Sequence, residues 1–449
     1  MSEHVGYVVK VSNLQKHPNA DRLQLVEFFG NTVIVGLDCY EGEIGIFFPT
    51  DLQLSVEYCN ANNLVRKKDE NGNNIGGYLE PDKRNIRAMK LRGAKSEGLY
   101  MPLGSLVFTG ANLDDINIGD RIDTVNGVEI CRKYIPHNSR QNSKGKPGVS
   151  KTRKHKDPIA PLFTEHVDTE QLAYNLGAFK PGDQIEITLK MHGTSQRTGY
   201  LPVLKGYKRN FFDWLLRRDG KPIYDWGYVS GTRRVVLDGW EDGGFYGSNA
   251  FREQHAKMFE GKLHKGETVY YEVVGFTDTG VPIMAAADNK KINDKEFVKQ
   301  YGPTTTFSYG CESTGKDAPQ SDFYVYRMTL TNEDGDVVEY TPDFMRYRCE
   351  QMGVKCVPVF TKFFCGDIDS GEKRENETWG EMVKRFAEKY YDGPDPIGKT
   401  HVREGVVVRI VNRPSFTAYK HKNFSFKVLE GLVKDLADAP DMEEAQDEN

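Results

Sequence analysis

The sequence predicts an α+β protein in two unequal parts. A small closed β-barrel covers residues 1–131, and a larger domain of strands alternating with helical patches covers 159–434. Three observations predict this. The chain has 449 residues, too many for one ordinary core when domains run to about 100–200 residues. The first part holds short β-branched runs cut by Gly, Pro, Asn and Asp, with no helical period. The second mixes long strand patterns with at least one amphipathic helix.

Composition narrows the class. Hydrophobic residues make up 38% and charged residues 28%, a globular balance that excludes a mostly disordered or fibrous chain. No apolar run reaches the roughly 18–20 residues of a bilayer span. The opening Met1-Ser-Glu-His-Val-Gly-Tyr has neither the basic patch nor the apolar stretch of a secretory signal, so a soluble, cytoplasmic protein is expected. The net charge of −5 does not advertise nucleic acid, and any such surface must be local. Seven scattered cysteines, none in a C-x-x-C pair, predict reduced thiols and neither a zinc ribbon nor a disulfide frame.

In the first part, Gly6-Tyr-Val-Val-Lys-Val, Leu23-Gln-Leu-Val-Glu-Phe-Phe, Thr32-Val-Ile-Val and Ile44-Gly-Ile-Phe-Phe read as strands, and Asn71-Gly-Asn-Asn-Ile-Gly-Gly as a loop tip. A linker is expected over 132–158; from Arg132 to Lys156 it holds nine Lys/Arg and no Asp or Glu. It joins the two parts, and clustered cations of this kind also suit phosphates. Further on, Thr188-Leu-Lys-Met, Thr268-Val-Tyr-Tyr-Glu-Val-Val-Gly-Phe, Phe323-Tyr-Val-Tyr-Arg-Met-Thr-Leu and Gly405-Val-Val-Val-Arg-Ile-Val predict strands. Thr378 to Tyr390 predicts a helix with Trp379, Met382, Phe386 and Tyr390 near one face. Asp435 to Asn449 has seven acidic residues and no basic one, and reads as a frayed tail.

The chemistry gathers late in the chain. Lys190-Met-His-Gly-Thr-Ser places a lysine at the end of a strand pattern, directly before a Gly-containing turn. Glu272 is a carboxylate inside the apolar run Tyr270-Tyr-Glu-Val-Val-Gly, and Glu404 stands at the mouth of a β-branched strand. Lys420 and Lys422 are two residues apart and therefore share a face of an extended segment. Singly, each reads as an ordinary surface charge or as edge-strand protection. In this order they suit nucleotidyl transfer, in which cations neutralise phosphate and carboxylates hold a divalent ion. A lysine can be the nucleophile once burial or neighbouring positive charge removes its proton.

Residues 190–422 resemble the covalent nucleotidyltransferase superfamily of ATP-dependent ligases and capping enzymes, and most of all its ATP-dependent RNA ligases. The resemblance implies antiparallel sheets flanked by helices, and Lys190 as the residue that carries AMP. It implies that Gly193, Glu272, Tyr326, Lys420 and Lys422 bind the nucleotide, with Glu272 on the ribose and Tyr326 under adenine. Arg233, or its neighbour Arg234, becomes the phosphate or 5′-end contact. Glu404 becomes the holder of Mg2+ or Mn2+, and Lys420 and Lys422 the closing pair on the α-phosphate. Many members carry a glutamate just before the nucleophilic lysine; Leu189 stands there in this chain.

His17-Pro-Asn-Ala-Asp-Arg-Leu, Lys90-Leu-Arg-Gly and Ser96-Glu-Gly-Leu resemble the OB-type tRNA-binding module of some aminoacyl-tRNA synthetases. The same module precedes the catalytic domain in one branch of RNA ligases. This implies RNA contacts at Lys90, Arg92 and Lys95, the alternative being plain barrel-surface charges. Between Lys205 and Trp226, cations including Arg209, Arg217 and Arg218 interleave with aromatics, which suits either an RNA contact or an amphipathic helix around Phe211, Trp214 and Leu215. Only 27 residues follow Lys422, too few for the OB domain that DNA ligases and capping enzymes carry there (449 − 422). The expected function is a monomeric ATP-dependent RNA ligase joining 3′-hydroxyl and 5′-phosphate ends in nick repair. The alternatives are a DNA ligase, a GTP-using capping enzyme, or a non-catalytic RNA-binding protein on the same fold.

Overall fold

A computed structural model describes residues 4–68, 70, 72, 75–135, 157–211, 220–241, 246–366 and 372–434. Most of the basic linker, the acidic tail, part of the Asn71 loop tip, and Trp214, Leu215, Arg217 and Arg218 lie outside them. The described chain forms two compact units. One gathers the described parts of 1–138, 287–303 and 424–441, the other those of 139–286 and 304–423.

The first unit is built from small antiparallel sheets. Gly6–Lys10 pairs with Ile44–Pro49, which pairs with Gly98–Pro102, and Arg121–Ile122 closes the far side. Leu23–Phe28 and Asn31–Gly36 form a hairpin that buries alternate residues, Val33 and Val35 among them. Val8, Ile46, Phe48, Leu52, Leu54, Tyr58, Leu106 and Ile130 fill a common core. The expected closed barrel is not found among the described residues. Several strands are only two or three residues long, so their ladders end before the sheets can join into a ring. No helix of the described residues is long and apolar enough to cross a membrane.

Two of the sequence motifs in this unit meet in space. Buried His17 lies 3.3 Å from the Leu91 carbonyl oxygen through Nε2, and the Asn19 amide donates to the Arg92 carbonyl at 3.0 Å. Arg92 and Gly93 turn the Met89–Leu91/Ala94–Ser96 hairpin, both with positive φ (48° and 88°), as the tightest two-residue hairpin turn requires.

The second unit is two five-stranded sheets. The first runs Glu170–Gln171, Ala418–Lys422, Gly405–Ile410, Gln184–Lys190, Val359–Phe364. Its outer face packs Ile185, Ile187, Val406, Val408 and Ile410 against Met382, Val383 and Phe386 of the Trp379–Glu388 helix. That helix begins at Thr378 with a capping box to Glu381, which supplies partners for backbone N–H groups that its first turn cannot pair. The second sheet runs Lys221–Gly231, Thr194–Lys208, Glu267–Gly275, Ser321–Thr331, Val337–Glu339. Its outer face packs Val269, Tyr271, Val273, Phe323 and Val325 on Phe251, Met345 and Met352 of two helices. The inner faces meet through a buried ion network in which Glu339 accepts Arg327 at 3.0 Å and Arg409 at 3.3 Å. The mixed helix and sheet content agrees with the α+β expectation.

Candidate active site

The first sheet sets its lysines by register. Lys190 pairs with Gly405, and Gly405 pairs with Lys422 on its other side, so the two lysines stand in one row across three strands. Side chains in such a row leave the same face, here the face away from the helix. Gly405 leaves the gap between them open. It has φ of 152°, and a Cβ there would fall 2.1 Å from the His421 carbonyl oxygen. Lys420 occupies the next row on that face, opposite Val407 and Thr188.

Glu404, only 2% exposed, enters the gap one residue before Gly405. Its Oε1 lies 3.0 Å from Lys190 Nζ and 3.3 Å from Lys422 Nζ, and His192 Nδ1 lies 3.5 Å from Oε2. Burial alone would raise this carboxyl, but Lys190, Lys422 and His192 outweigh it and hold the pKa down at about 2. Glu404 is therefore a carboxylate at any working pH. Its Oε2 has no hydrogen-bond partner.

The turn after Lys190 carries the chain from the first sheet to the second. The His192 backbone N–H donates to the Tyr309 hydroxyl at 2.7 Å, and the Gly193 N–H to Glu272 Oε1 at 3.2 Å. Ser195 Oγ donates to Glu272 Oε2 at 3.3 Å. Glycine is needed at 193 because a Cβ would fall 2.3 Å from the Val273 carbonyl oxygen. Ser195, Glu272 and Tyr324 pair in sequence across three strands, so Tyr324 is the aromatic beside Glu272. Tyr326 falls next to the irregularity that shifts this register at Tyr270/Tyr271, and its hydroxyl lies 3.2 Å from His166 Nδ1.

Arg233 has a carboxylate partner of its own. It ion-pairs with Asp168, donating through Nε at 2.8 Å, and Arg234 approaches the other oxygen of the same carboxylate at 3.5 Å. Buried Arg197 ties this corner down: it donates to the Thr164 carbonyl at 2.5 Å and the Arg234 carbonyl at 3.4 Å, with Phe163 under its guanidinium. Of the residues expected to contact RNA, Lys90 pairs with Asp294 at 2.8 Å and Lys95 lies 4.9 Å over the Phe424 ring, both within the first unit. Arg92 is exposed at its hairpin tip, and Arg209 is exposed just past the Thr194–Lys208 strand.

The structure thus brings Lys190, Glu404 and Lys422 together, and Gly193 with Glu272. It leaves Arg233 and Tyr326 in a second cluster with Asp168 and His166. Sequence reasoning missed Tyr309, Asp168 and Arg197; each acts through a loop contact more than 30 positions away in the chain. Only the departure of Arg197 from strand alternation norms, a guanidinium buried in a strand, could have been sought, and its neighbours gave no sign of it.

A divalent cation can be tested against this donor set. Among the described residues no group of three or more His, Cys, Asp or Glu could hold a metal. One buried carboxylate whose Oε2 faces only an imidazole at 3.5 Å does fit a cation that takes its other ligands from phosphates and water.

The two five-stranded sheets, with a lysine at the turn between them, share their fold with solved structures of an RNA ligase. Solved structures that the chain resembles include several forms of the Naegleria gruberi RNA ligase. An aspartate-to-alanine variant without ligand aligns at TM-score 0.54 and 16% identity, covering 95% of this chain and 98% of that one. A lysine-to-methionine variant with AMP and Mn aligns at 0.53 and 15%, covering 94% and 97%. A glutamate-to-alanine variant with ATP and Mn aligns at 0.54 and 15%, covering 94% and 98%. No protein-family model and no curated protein matches the chain.

Proposed function

We propose that this chain is an ATP-dependent RNA ligase that joins a 3′-hydroxyl to a 5′-phosphate through a lysyl-AMP intermediate on Lys190. The observation that carries the reading is the convergence of Lys190 and Lys422 on the buried carboxylate Glu404, at 3.0 and 3.3 Å. The fold shared with an RNA ligase solved with ATP, AMP and Mn supports it.

In the first step the Lys190 ammonium gives up one proton to solvent, and the lone pair so freed attacks the α-phosphorus of ATP. A P–N bond forms, the bond to the pyrophosphate oxygen breaks, and a second amine proton leaves to solvent. An oxygen of the RNA 5′-phosphate then attacks the same phosphorus, and the P–N bond breaks to return the amine. Finally the 3′-hydroxyl oxygen attacks the activated 5′-phosphate and AMP departs. Lys422 and Lys420, on the same face as Lys190, act as point charges on the phosphates. Glu272 receives the ribose hydroxyls, and Tyr326, with Tyr324 as its neighbour in the strand, lies under adenine. Arg233 takes the 5′-phosphate after exchanging its carboxylate partner.

Mg2+ or Mn2+ would be held by Glu404 and would neutralise phosphate charge while competing for the carboxylate that pairs with the lysines. RNA contacts fall to Arg92 and Arg209, and to Lys90 and Lys95 where these release their own partners. The 1–131 segment serves as the OB-like RNA module, 132–158 as the linker and 159–434 as the adenylyltransferase domain. A monomer working in nick repair in the reducing cytoplasm is in keeping with seven free thiols.

Intact-mass measurement tests the reading. Incubation with ATP and magnesium adds one AMP to the wild type and none to Lys190→Ala, and pyrophosphate removes it. AMP uptake by Lys190→Ala would overturn the assignment.

A further inference from the structure

We infer that Tyr309 is a positioning residue for adenylyl transfer: its hydroxyl, together with the Phe307 ring two residues earlier, fixes the Lys190–Gly193 turn so that the lysine meets the α-phosphorus. The inference rests on the ligase reading above and assigns a part to a loop outside the lysine and glutamate strands.

Tyr309 is 2% exposed, and its oxygen accepts the His192 backbone N–H at 2.7 Å. That N–H lies midway along the turn, two residues after Lys190 and one before the Gly193 N–H that binds Glu272. Phe307 packs edge-on against the His192 ring, with centroids 4.6 Å apart. One short loop therefore holds both the backbone and the imidazole of the residue whose Nδ1 faces Glu404.

The loop is itself held in a conformation that has to be enforced. Tyr309 has φ of 51°, in the left-handed region that costs a bulky residue about 1 kcal/mol or more. His401, fully buried, packs edge-on against Tyr309 at 4.5 Å and Phe307 at 5.2 Å. Behind it, a Cβ at Gly398 would fall 2.5 Å from the Gly310 nitrogen, so two loops are in contact there. Asp395 fixes the second loop by accepting from the Gly398 and Lys399 backbone at 2.6 and 2.9 Å. Burial, with Glu404, Asp395 and Glu272 nearby, pushes the phenol well above the usual tyrosine range, so it stays neutral beside the carboxylates. A neutral acceptor at this point orients the N–H without adding charge to the lysine row.

The test is Tyr309→Phe, which keeps the ring and removes the oxygen. Pre-steady-state AMP uptake is expected to slow by about tenfold to a hundredfold, the effect of leaving a buried donor unsatisfied, with the ATP half-saturation concentration within about twofold of wild type. A general packing role would instead move the half-saturation concentration along with the rate. Replacing Tyr309 by a ring-fluorinated tyrosine keeps its shape and weakens the acceptor, so an intermediate slowing is expected even if the phenylalanine variant fails to fold. Hydrogen exchange at the His192 amide should quicken in both variants, a readout that needs no activity. Wild-type AMP uptake and unchanged His192 exchange in the folded variants would overturn the brace and leave the ligase reading standing. Absence of AMP uptake by the wild-type protein would overturn the ligase reading, with amide exchange still deciding the brace.

Discussion

The two corners of the candidate site are built in different ways. Lys190, Glu404 and Lys422 are set by the ladder of one sheet, where a row of paired residues leaves little choice of direction. Arg233 and Tyr326 are set by a loop, an irregularity in a strand, and the 163–168 segment that passes over them. The first corner gathers two cations around one buried carboxylate. The second has an exposed ion pair that must open before Arg233 can serve a phosphate. A rigid corner for the reacting amine and an exchangeable one for the RNA end is the division of labour that this difference suggests.

Breaking the rigid corner should have the largest effect. Glu404→Ala leaves two ammonium groups, 23% and 12% exposed, facing each other without their anion. AMP uptake is expected to fall by at least about a hundredfold, on the scale of losing a group aimed at transition-state charge. Uptake within about threefold of wild type would remove Glu404 from the mechanism.

Gly405→Ala probes the gap rather than the charge. The new Cβ would meet backbone, the His421 carbonyl, and backbone cannot swing aside as a side chain can. The expected cost is about 2–3 kcal/mol in urea unfolding together with loss of AMP uptake. The rows of the first sheet would be open to doubt if the variant matched wild type in both.

What could be read from the sequence follows the same division. Glu272 and Lys190 stood out because a charged residue at the end of, or inside, a β-branched run breaks the expected alternation, and ladder register then carries them to the site. The Thr378–Tyr390 helix was legible from its apolar stripe, and it forms over Trp379–Glu388. Tyr309 was not legible: it sits in a loop whose path depends on Gly398 and His401, about 90 residues downstream. Nor was the pairing of Lys90 with Asp294, since no local pattern says that residues 204 apart will share a unit. Strand content in the first part could be read locally, whereas closure into a barrel, not found among the described residues, depends on how far each ladder extends.

Burial lowers the His255 imidazole, packed behind the second sheet 2.9 Å from Ser321 Oγ, to about 4. An unfolded histidine titrates near 6.5 and so binds its proton first. His255 therefore contributes stability in full above about pH 6.5 and loses it as pH falls toward 4, by on the order of 3 kcal/mol. Glu404 acts in the same direction but in a lower window: its pKa is held at about 2, below its ordinary 4.5, so its contribution is present above pH 4.5 and is lost as pH falls from there through 2. Unfolding measured between pH 7 and 4 should lose part of its slope in His255→Gln, the rest coming from groups such as His401, which burial also lowers. A slope unchanged by that substitution would place the acid-sensitive group elsewhere.

The smallest effect on stability, and the sharpest test of the exchangeable corner, belongs to Asp168→Asn. The carboxylate is 45% exposed, so removing its charge should change unfolding by less than about 1 kcal/mol. Its pKa is nonetheless lowered: burial opposes ionisation, but Arg233 and Arg234 prevail, so both guanidiniums do compete for this one anion at neutral pH. An RNA 5′-phosphate reaching Arg233 has to displace that carboxylate, and the amide that replaces it would be a weaker competitor. The concentration of 5′-phosphorylated RNA needed for half-maximal sealing should therefore fall severalfold in Asp168→Asn, while the rate of AMP uptake from ATP stays near wild type. If AMP uptake changed and the RNA requirement did not, Arg233 would belong to the nucleotide and not to the RNA end, and the two corners would have to be drawn as one.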